Sequence, residues 1–290
     1  MANEIALGKT YVPLLDEKYV AEAKTSILDA NEELVRVAEN GKDFYVPVIN
    51  MDGLAQHTRG GEYVEGDVSL EWKLKSPDYD RSRQFNIDAM DNLETSGIAY
   101  GRLAGEFIRT KVAPEVDAVR FAKYSAKAGT SAEGTISDAK AFLDAVATAS
   151  VTLDEAEVPE GERILFATSS LLTPVMTMDT YKSKEILSKF TSIVTVPQTR
   201  FYTAVELNDG KTSGQEAGGY KKASTGTDIN FIIVHKPAII QTLKHVAPKI
   251  VTPEQNQKGD NWMYSYRIYG VNEVFDNKVK GIYVHKKAKA

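Results

Sequence analysis

Hydrophobic and polar positions alternate strictly from Val68 to Lys75, with Val68, Leu70, Trp72 and Leu74 set against Ser69, Glu71, Lys73 and Lys75. A period of two marks a strand with one apolar face. Ser76-Pro77-Asp78 is a turn signal, and the alternation resumes with Phe85 and Ile87 against Gln84, Asn86 and Asp88. The pattern predicts a long two-stranded hairpin, preceded by a segment punctuated at Gly60-Gly61 and Gly66-Asp67. An isolated hairpin is marginal in water, so its apolar face needs a partner, either in its own domain or on a neighbouring subunit. Arg59, Lys73, Lys75, Arg81 and Arg83 lie on or beside it, interleaved with Glu62, Glu65, Glu71, Asp78 and Asp80. Mixed charge of this kind fits a solvated hairpin and equally the polar rim of an interface.

The period then lengthens. Leu93, Tyr100, Ala104, Phe107 and Ile108 recur as one face of a 3.6-residue helix. Gly97, Gly101 and Gly105 form a second row along it. A glycine inside a helix costs up to about 1 kcal/mol relative to alanine, so the row predicts close approach of another backbone. Arg102, Glu106 and Arg109 exclude a membrane helix pair. The residue before a proline is driven out of the α region, so the pattern predicts a break before Pro114. A second helix, EVDAVRFAKYSAKA, then follows, with Glu115 and Asp117 in its first turn and Lys123 and Lys127 near its end, as the helix dipole favours.

Elsewhere the elements are shorter. Residues 1 to about 20 read as an extended arm with Tyr11, Val12, Leu14 and Leu15, interrupted at Pro13. A helix from Ser26 through Val37 is expected to stop at Asn40-Gly41. Phe44 to Ile49 reads as a strand that Pro47 places at an edge. After the linker AGTSAEGT, a helix capped by Thr135 or Ser137 runs towards Pro159. Strands are expected at Ile164–Thr168, Ser192–Val196, Ile229–Val234, Trp262–Phe275 and Lys280–His285, with a short helix from Ser169 and a proline-led helix over KPAIIQTLKHV. Residues 208–228, rich in glycine, serine and threonine, read as an exposed, mobile loop. The fold class is α+β, with one compact lobe inserted between two parts of another.

Composition narrows the function. The chain has 290 residues, ordinary charged and apolar fractions, and no cysteine, which leaves no disulfide framework, thiolate metal site or catalytic thiol. The N-terminus lacks the apolar core of a signal peptide and no run is long enough to span a bilayer, so the expectation is a soluble protein made inside the cell. A net charge of −5 argues against a general nucleic-acid binder. Gly210-Lys211-Thr212 has the ending of a phosphate loop, but Val205 stands where that motif needs glycine. His57, His235, His245 and His285 lack metal-helix spacing. Asp78 with Asp80, and Asp88 with Asp91, read as turn and cap residues rather than acid–base pairs. Ser169 and Ser170 lack the flanking glycines of a nucleophile elbow. The short basic tail with Lys286, Lys287 and Lys289 fits solubility, or weak phosphate contact. No catalytic constellation, cofactor site or metal site emerges.

An ordered series of segments carries a resemblance: YVPLL, ELVR, GDVSLEW, YDRSRQFNIDAMDNLET and GEFIRTKVAPEVDAVR, then VPQTRF, INFIIVHKPA and YRIYGVNEVFDNKVKGIYVH. Together they resemble the major capsid proteins of tailed bacteriophages with the Hong Kong 97-type fold, over nearly the whole chain. Ser82 and Val119 depart from the glycine and tyrosine usual there. The resemblance implies an N-terminal arm (1–30), a first peripheral part (31–55) and an extended loop (56–88). It further implies a peripheral spine helix (89–130), an axial domain (131–250) and peripheral C-terminal strands (251–290). It implies a non-enzymatic shell subunit assembling with itself into pentamers and hexamers around double-stranded DNA, in a virion built in the bacterial cytoplasm. Scaffolding, portal and decoration proteins are further expected partners; any scaffold is expected to be a separate protein or already removed. Trp72 and Leu74 become candidate inter-subunit anchors, with Lys73, Lys75, Arg81 and Arg83 around them, and Gly97, Gly101 and Gly105 the sliding face of the spine. No covalent link through Lys73 or Lys75 is expected. An encapsulin-type nanocompartment is the alternative within the fold, and a soluble α+β enzyme or ligand-binding protein a remote one outside it.

Overall fold

A computed structural model describes residues 23–29, 36–37, 44–57, 59, 63–75, 79–90, 98–178 and 181–289. Its centre is a five-stranded sheet built from β5 (Thr130–Glu133), β6 (Arg163–Thr168), β7 (Ser192–Val196), β10 (Ile229–His235) and β13 (Ile282–Lys286), in the order β5-β13-β10-β6-β7. Alternate residues feed two cores. Ile164, Phe166, Ile232, Val234, Ile282 and Val284 join Phe121 and Tyr124 on one face. Leu165, Ala167, Phe231, Ile233 and Tyr283 join Phe142, Val146 and Leu153 on the other. A sheet covered on both faces needs continuous apolar strands, and RILFAT and INFIIV supply them. The covering helix α3 (Ala139–Glu155) is capped by Asp138, whose carboxylate accepts the Ala141 N–H at 2.7 Å, and not by Thr135 or Ser137.

The spine is continuous. Helix α1 (Ile98–Phe107) passes through a π turn, Ile108–Val112, into α2 (Ala113–Ala126). The expected break before Pro114 does not occur. Proline cannot donate to the carbonyl four residues back, and here the turn widens: the Ala113 N–H reaches Ile108 O, while the Thr110 hydroxyl donates to Glu106 O at 2.7 Å. A one-turn π-bulge keeps the helix going.

Beneath the spine lies a three-stranded sheet ordered β11 (Ile239–Val251), β12 (Asn261–Val274), β4 (Tyr79–Asp88). Ala104, Ile108, Val112 and Val116 of the helix pack on Tyr79, Tyr264, Tyr266 and Ile268 of the sheet. Phe107 meets Phe85 edge-on at 4.9 Å and Tyr266 at 5.9 Å. KPAIIQTLKHV is therefore a short 3-10 turn leading into β11, not a helix. Long-range pairing with β12, from Ile239↔Val274 to Val251↔Met263, decides a segment whose local preference is ambiguous. Pro248 is tolerated because β11 is the edge strand of that sheet.

The hairpin exists, with another partner. β3 (Val68–Lys75) pairs with β2 (Phe44–Met51), from Phe44↔Lys75 to Met51↔Val68, while β4 pairs with β12. The predicted 68–88 hairpin is thus two strands of two different sheets. β1 (Arg36–Val37) pairs with Tyr45 and Phe44, so β2 is the middle strand of the order β1-β2-β3 rather than the edge that Pro47 suggested. Among the described residues the expected 26–37 helix reduces to a 3-10 turn at Ser26–Leu28, with Arg36–Val37 extended. Residues 1–22 of the expected arm lie outside the described residues.

After residue 250, β12 joins the sheet under the spine, and β13 lies in the five-stranded sheet between β5 and β10. β8 (Val205–Leu207), just before the 208–228 loop, pairs with β9 (Tyr220–Lys222) inside it.

Candidate assembly surface

Cross-strand partners in an antiparallel pair share a face. The register of β2 and β3 therefore puts Tyr45 and Met51 on the same side as Leu74 and Val68, with Leu70 and Trp72 along the same face of β3. Leu70 is 53% exposed, Leu74 52% and Trp72 40%. Between the strands, Leu54 and Tyr63 are almost wholly in solvent, and Val64 is also exposed. Contiguous exposed apolar surface on a folded chain marks a contact site.

The polar face of the same hairpin turns towards its own chain. Lys73 reaches Asp276 at 3.1 Å, and Lys75 lies 3.5 Å from Asp276 and 3.9 Å from Glu273. Glu273 also accepts from Lys123 at 2.9 Å and from Lys127 of the spine. Burial pushes the Glu273 carboxyl up, but the hydrogen bonds from Lys127 and Lys123 outweigh it and hold it below the usual carboxylate range. At Asp276 burial is likewise outweighed by Lys73 and Lys75, again with a net lowering. This anchor orients the hairpin, so the apolar stripe is the side left outward.

Arg81 and Arg83 sit elsewhere, on β4. Arg81 Nε donates to Glu115 at 2.8 Å, and its Nη2 to the carbonyls of Asn208 at 2.7 Å and Gly219 at 3.4 Å. Tyr79 OH also donates to Glu115, at 2.9 Å. Arg83 Nη2 donates to Glu216 O at 3.0 Å. The two arginines tie the 208–219 loop to the strand beneath the spine within one chain. Of the glycine row, Gly105 is buried and Gly101 lies in α1, while Gly97 lies outside the described residues.

The candidate chemistry is dispersed. Asp80 pairs with Arg267 at 2.6 Å, and Asp88 accepts the Met90 N–H at 2.9 Å; Asp78 and Asp91 lie outside the described residues. Ser169 and Ser170 open α4 (Ser169–Thr177). His57 stacks on Tyr63, and His285 contacts Asn230 at 3.0 Å. Burial lowers the pKa of both His235 and His285. Lys286 and Lys287 of the basic tail lie 3.6 Å from Glu133 and 3.2 Å from Asp228. Among the described residues no group of three or more potential ligands could hold a metal ion, and no helix is long and apolar enough to cross a membrane.

A buried polar cluster escaped the sequence reading. Asp117, fully buried, accepts the N–H of Lys24 at 3.0 Å and of Thr25 at 3.1 Å, the Thr25 hydroxyl at 2.7 Å and Arg200 at 3.1 Å. Arg120 donates to Thr25 Oγ1 at 2.9 Å and Asn272 Oδ1 at 2.8 Å. Gln241 donates to Thr25 O and to Asp29, and Tyr124 to Gln241. Burial raises the Asp29 carboxyl, with Arg120 opposing. Residues 23–29 are thus fastened into the spine and the sheets on either side of it. The one signal in the sequence is spacing: Asp117, Arg120 and Tyr124 share the stripe of Val116 and Phe121.

A two-sided α/β core, a helix spanning two cores and a hairpin with an exposed apolar face make up the architecture. The sequence matches no protein-family model and no curated protein. Solved structures do match. A chain of Mycobacterium phage Che8 aligns over 89% of both chains at 14% identity, with a TM-score of 0.59. The capsid structure of Cyanophage P-SCSP1u aligns over 88% of this chain and 86% of its own at 11% identity, TM-score 0.57. A virus-like particle from Pyrococcus furiosus aligns over 95% and 99% at 12% identity, TM-score 0.50. The chain has the fold of tailed-phage capsid proteins, the Hong Kong 97-type fold.

Proposed function

We propose that this chain is the major capsid protein of a tailed double-stranded DNA bacteriophage, a structural subunit that assembles with itself into an icosahedral head. The observation that carries the reading is the hairpin: its polar face is anchored to the chain's own Asp276 and Glu273, and its apolar face is left outward. Repetition of one modest contact, closed by symmetry, gives a shell its stability without a single tight site. In this reading the five-stranded sheet with its helices is the axial part, and the spine with β4, β11 and β12 the peripheral part. Trp72 and Leu74 are anchors on a neighbouring subunit, and Gly101 and Gly105 allow close sliding along the spine as the shell matures. Pentamers, hexamers, a scaffold, a portal and packaged DNA are the partners this role requires, and catalysis is no part of it.

The likeness to the virus-like particle favours a second reading, a cellular nanocompartment shell. Electron microscopy of the chain expressed alone, with light scattering on the same sample, tests both. Closed shells or tubes are expected. Shells holding nucleic acid support the phage head; shells holding protein support the compartment. Dispersed subunits at high concentration, alone and with a co-expressed scaffold, overturn both readings.

A further inference from the structure

The core beneath the spine stays open on one side. Phe85 of β4, with Leu103 and Phe107 of α1, packs against that core yet remains only part-buried. These three side chains line a cavity of about 620 Å³ between β4, the helix around the π turn and the 208–219 loop. The volume falls in the range of clefts that enclose small molecules, about 300–1,000 Å³. Its walls are fixed by hydrogen bonds. Arg81 Nη2 donates to Asn208 O and Gly219 O at the two ends of the loop, while its Nε donates to Glu115 of the spine. Arg83 Nη2 donates to Glu216 O at 3.0 Å. A Cβ at Gly210 (φ +72°) would meet Arg83 Nη1 at 2.9 Å, so glycine lets the loop approach the strand this closely. A cavity already held in shape loses little to ordering when it binds.

Its charges are one-sided. The acids in its lining are engaged: Glu115 by Arg81 and Tyr79, Glu106 by Arg109, and Asp209 by the Lys211 N–H and the Thr212 hydroxyl. Among the described residues the exposed cations Lys111 and Arg83 have no carboxylate partner, Arg83 meeting the Glu216 carbonyl instead. Inside, Phe85 and Phe107 meet edge-on at 73°, and rings in that arrangement offer faces and edges to a further aromatic ring. We propose that the cavity binds a small aromatic acid, its ring system against Phe85, Leu103 and Phe107 and its carboxylate at Lys111 and Arg83. Cavity and ligand lie within one subunit, so the inference goes beyond the shell reading and does not depend on it.

Calorimetric titration of the full chain, as dispersed subunits, with naphthoate is the test. Saturable binding of one molecule per chain is expected, with naphthylmethylammonium, the same ring system carrying the opposite charge, binding about tenfold more weakly or worse. Lys111→Glu is expected to weaken naphthoate about tenfold, and Ala217→Trp, at an exposed position of the lining, to abolish binding by filling the mouth. Neither substitution is expected to move the unfolding midpoint without ligand, and naphthoate should raise that midpoint in the unmodified chain alone. Trp72→Ala is expected to bind as the unmodified chain does. No saturable binding, equal binding of the cation, or unchanged affinity in both cavity variants overturns the proposal. Loss of binding in Trp72→Ala places the ligand on the exposed hairpin face and overturns it too.

Discussion

The strands Arg163–Thr168 and Val68–Lys75 are both rich in strand-forming apolar residues, yet every residue of the first is buried and none of the second is. Helices lie on both faces of the first, from the spine and from α3. The second has a neighbouring strand, β2, and among the described residues its outward face stays exposed. The difference separates two tasks. The five-stranded sheet is finished inside one chain and sets whether the subunit folds. The hairpin strand keeps its apolar residues exposed, where burial contributes little to the fold.

The contrast can be broken first in the core. Phe231→Ala removes a ring packed against Phe142, Tyr283 and His285, and is expected to cost about 3–5 kcal/mol, read by urea unfolding of dispersed subunits. Asp117→Ala comes next. Stripping a buried, paired charge costs about 3–5 kcal/mol, and here the loss should include undocking of residues 23–29, seen as new protease cleavage near Thr25. If cleavage there stays slow, the cluster is not what fastens that segment. Trp72→Ala is expected to do the reverse of both: the dispersed subunit changes by no more than about 1 kcal/mol, while shell formation needs a higher concentration, because large aromatic anchors dominate contact energies. Normal shells from this variant would remove Trp72 from the contact.

The smallest effect is one of pH. His235 and His285 have pKa values lowered by burial below the ordinary 6.5. A folded pKa below the unfolded one gives stability that is present above 6.5 and lost as pH falls towards the lowered value. Glu273 and Asp276 are held below the usual carboxylate range, so the hairpin anchor persists until the solution is more acidic still. Between pH 7 and 5 the five-stranded sheet should therefore weaken while the anchor holds. A pH series of unfolding midpoints checks this, with His285→Gln expected to flatten the curve; an equal slope in that variant would shift the cause elsewhere.

Much of this was legible in the chain. The alternation of Val68 to Leu74 revealed the strand, though not what its apolar face meets, and the apolar runs Ile164–Thr168 and INFIIV revealed two more strands, the first of them as buried. Pairing was harder. Ser76-Pro77-Asp78 looks like a hairpin turn because turn signals are local, but β3 finds β2 across the 52–67 segment and β4 finds β12 far along the chain. Ile239 to Val246 read as a helix for the same reason, its strand partner lying more than twenty residues away. The Asp117 cluster stayed hidden because a charged residue in a first helical turn normally serves the helix dipole in water. Only the docking of Lys24 and Thr25 turns it inward.

The π turn has one more consequence, in rotational phase. Each residue advances a regular helix by about 100°, so a turn with one extra residue rotates everything after it against everything before. Phe107 precedes it and Val116 follows it in one core, while Phe121 and Tyr124 further along serve the second. Ile108–Val112 thus acts as a phase shifter, setting the angle at which the residues after it meet the sheets.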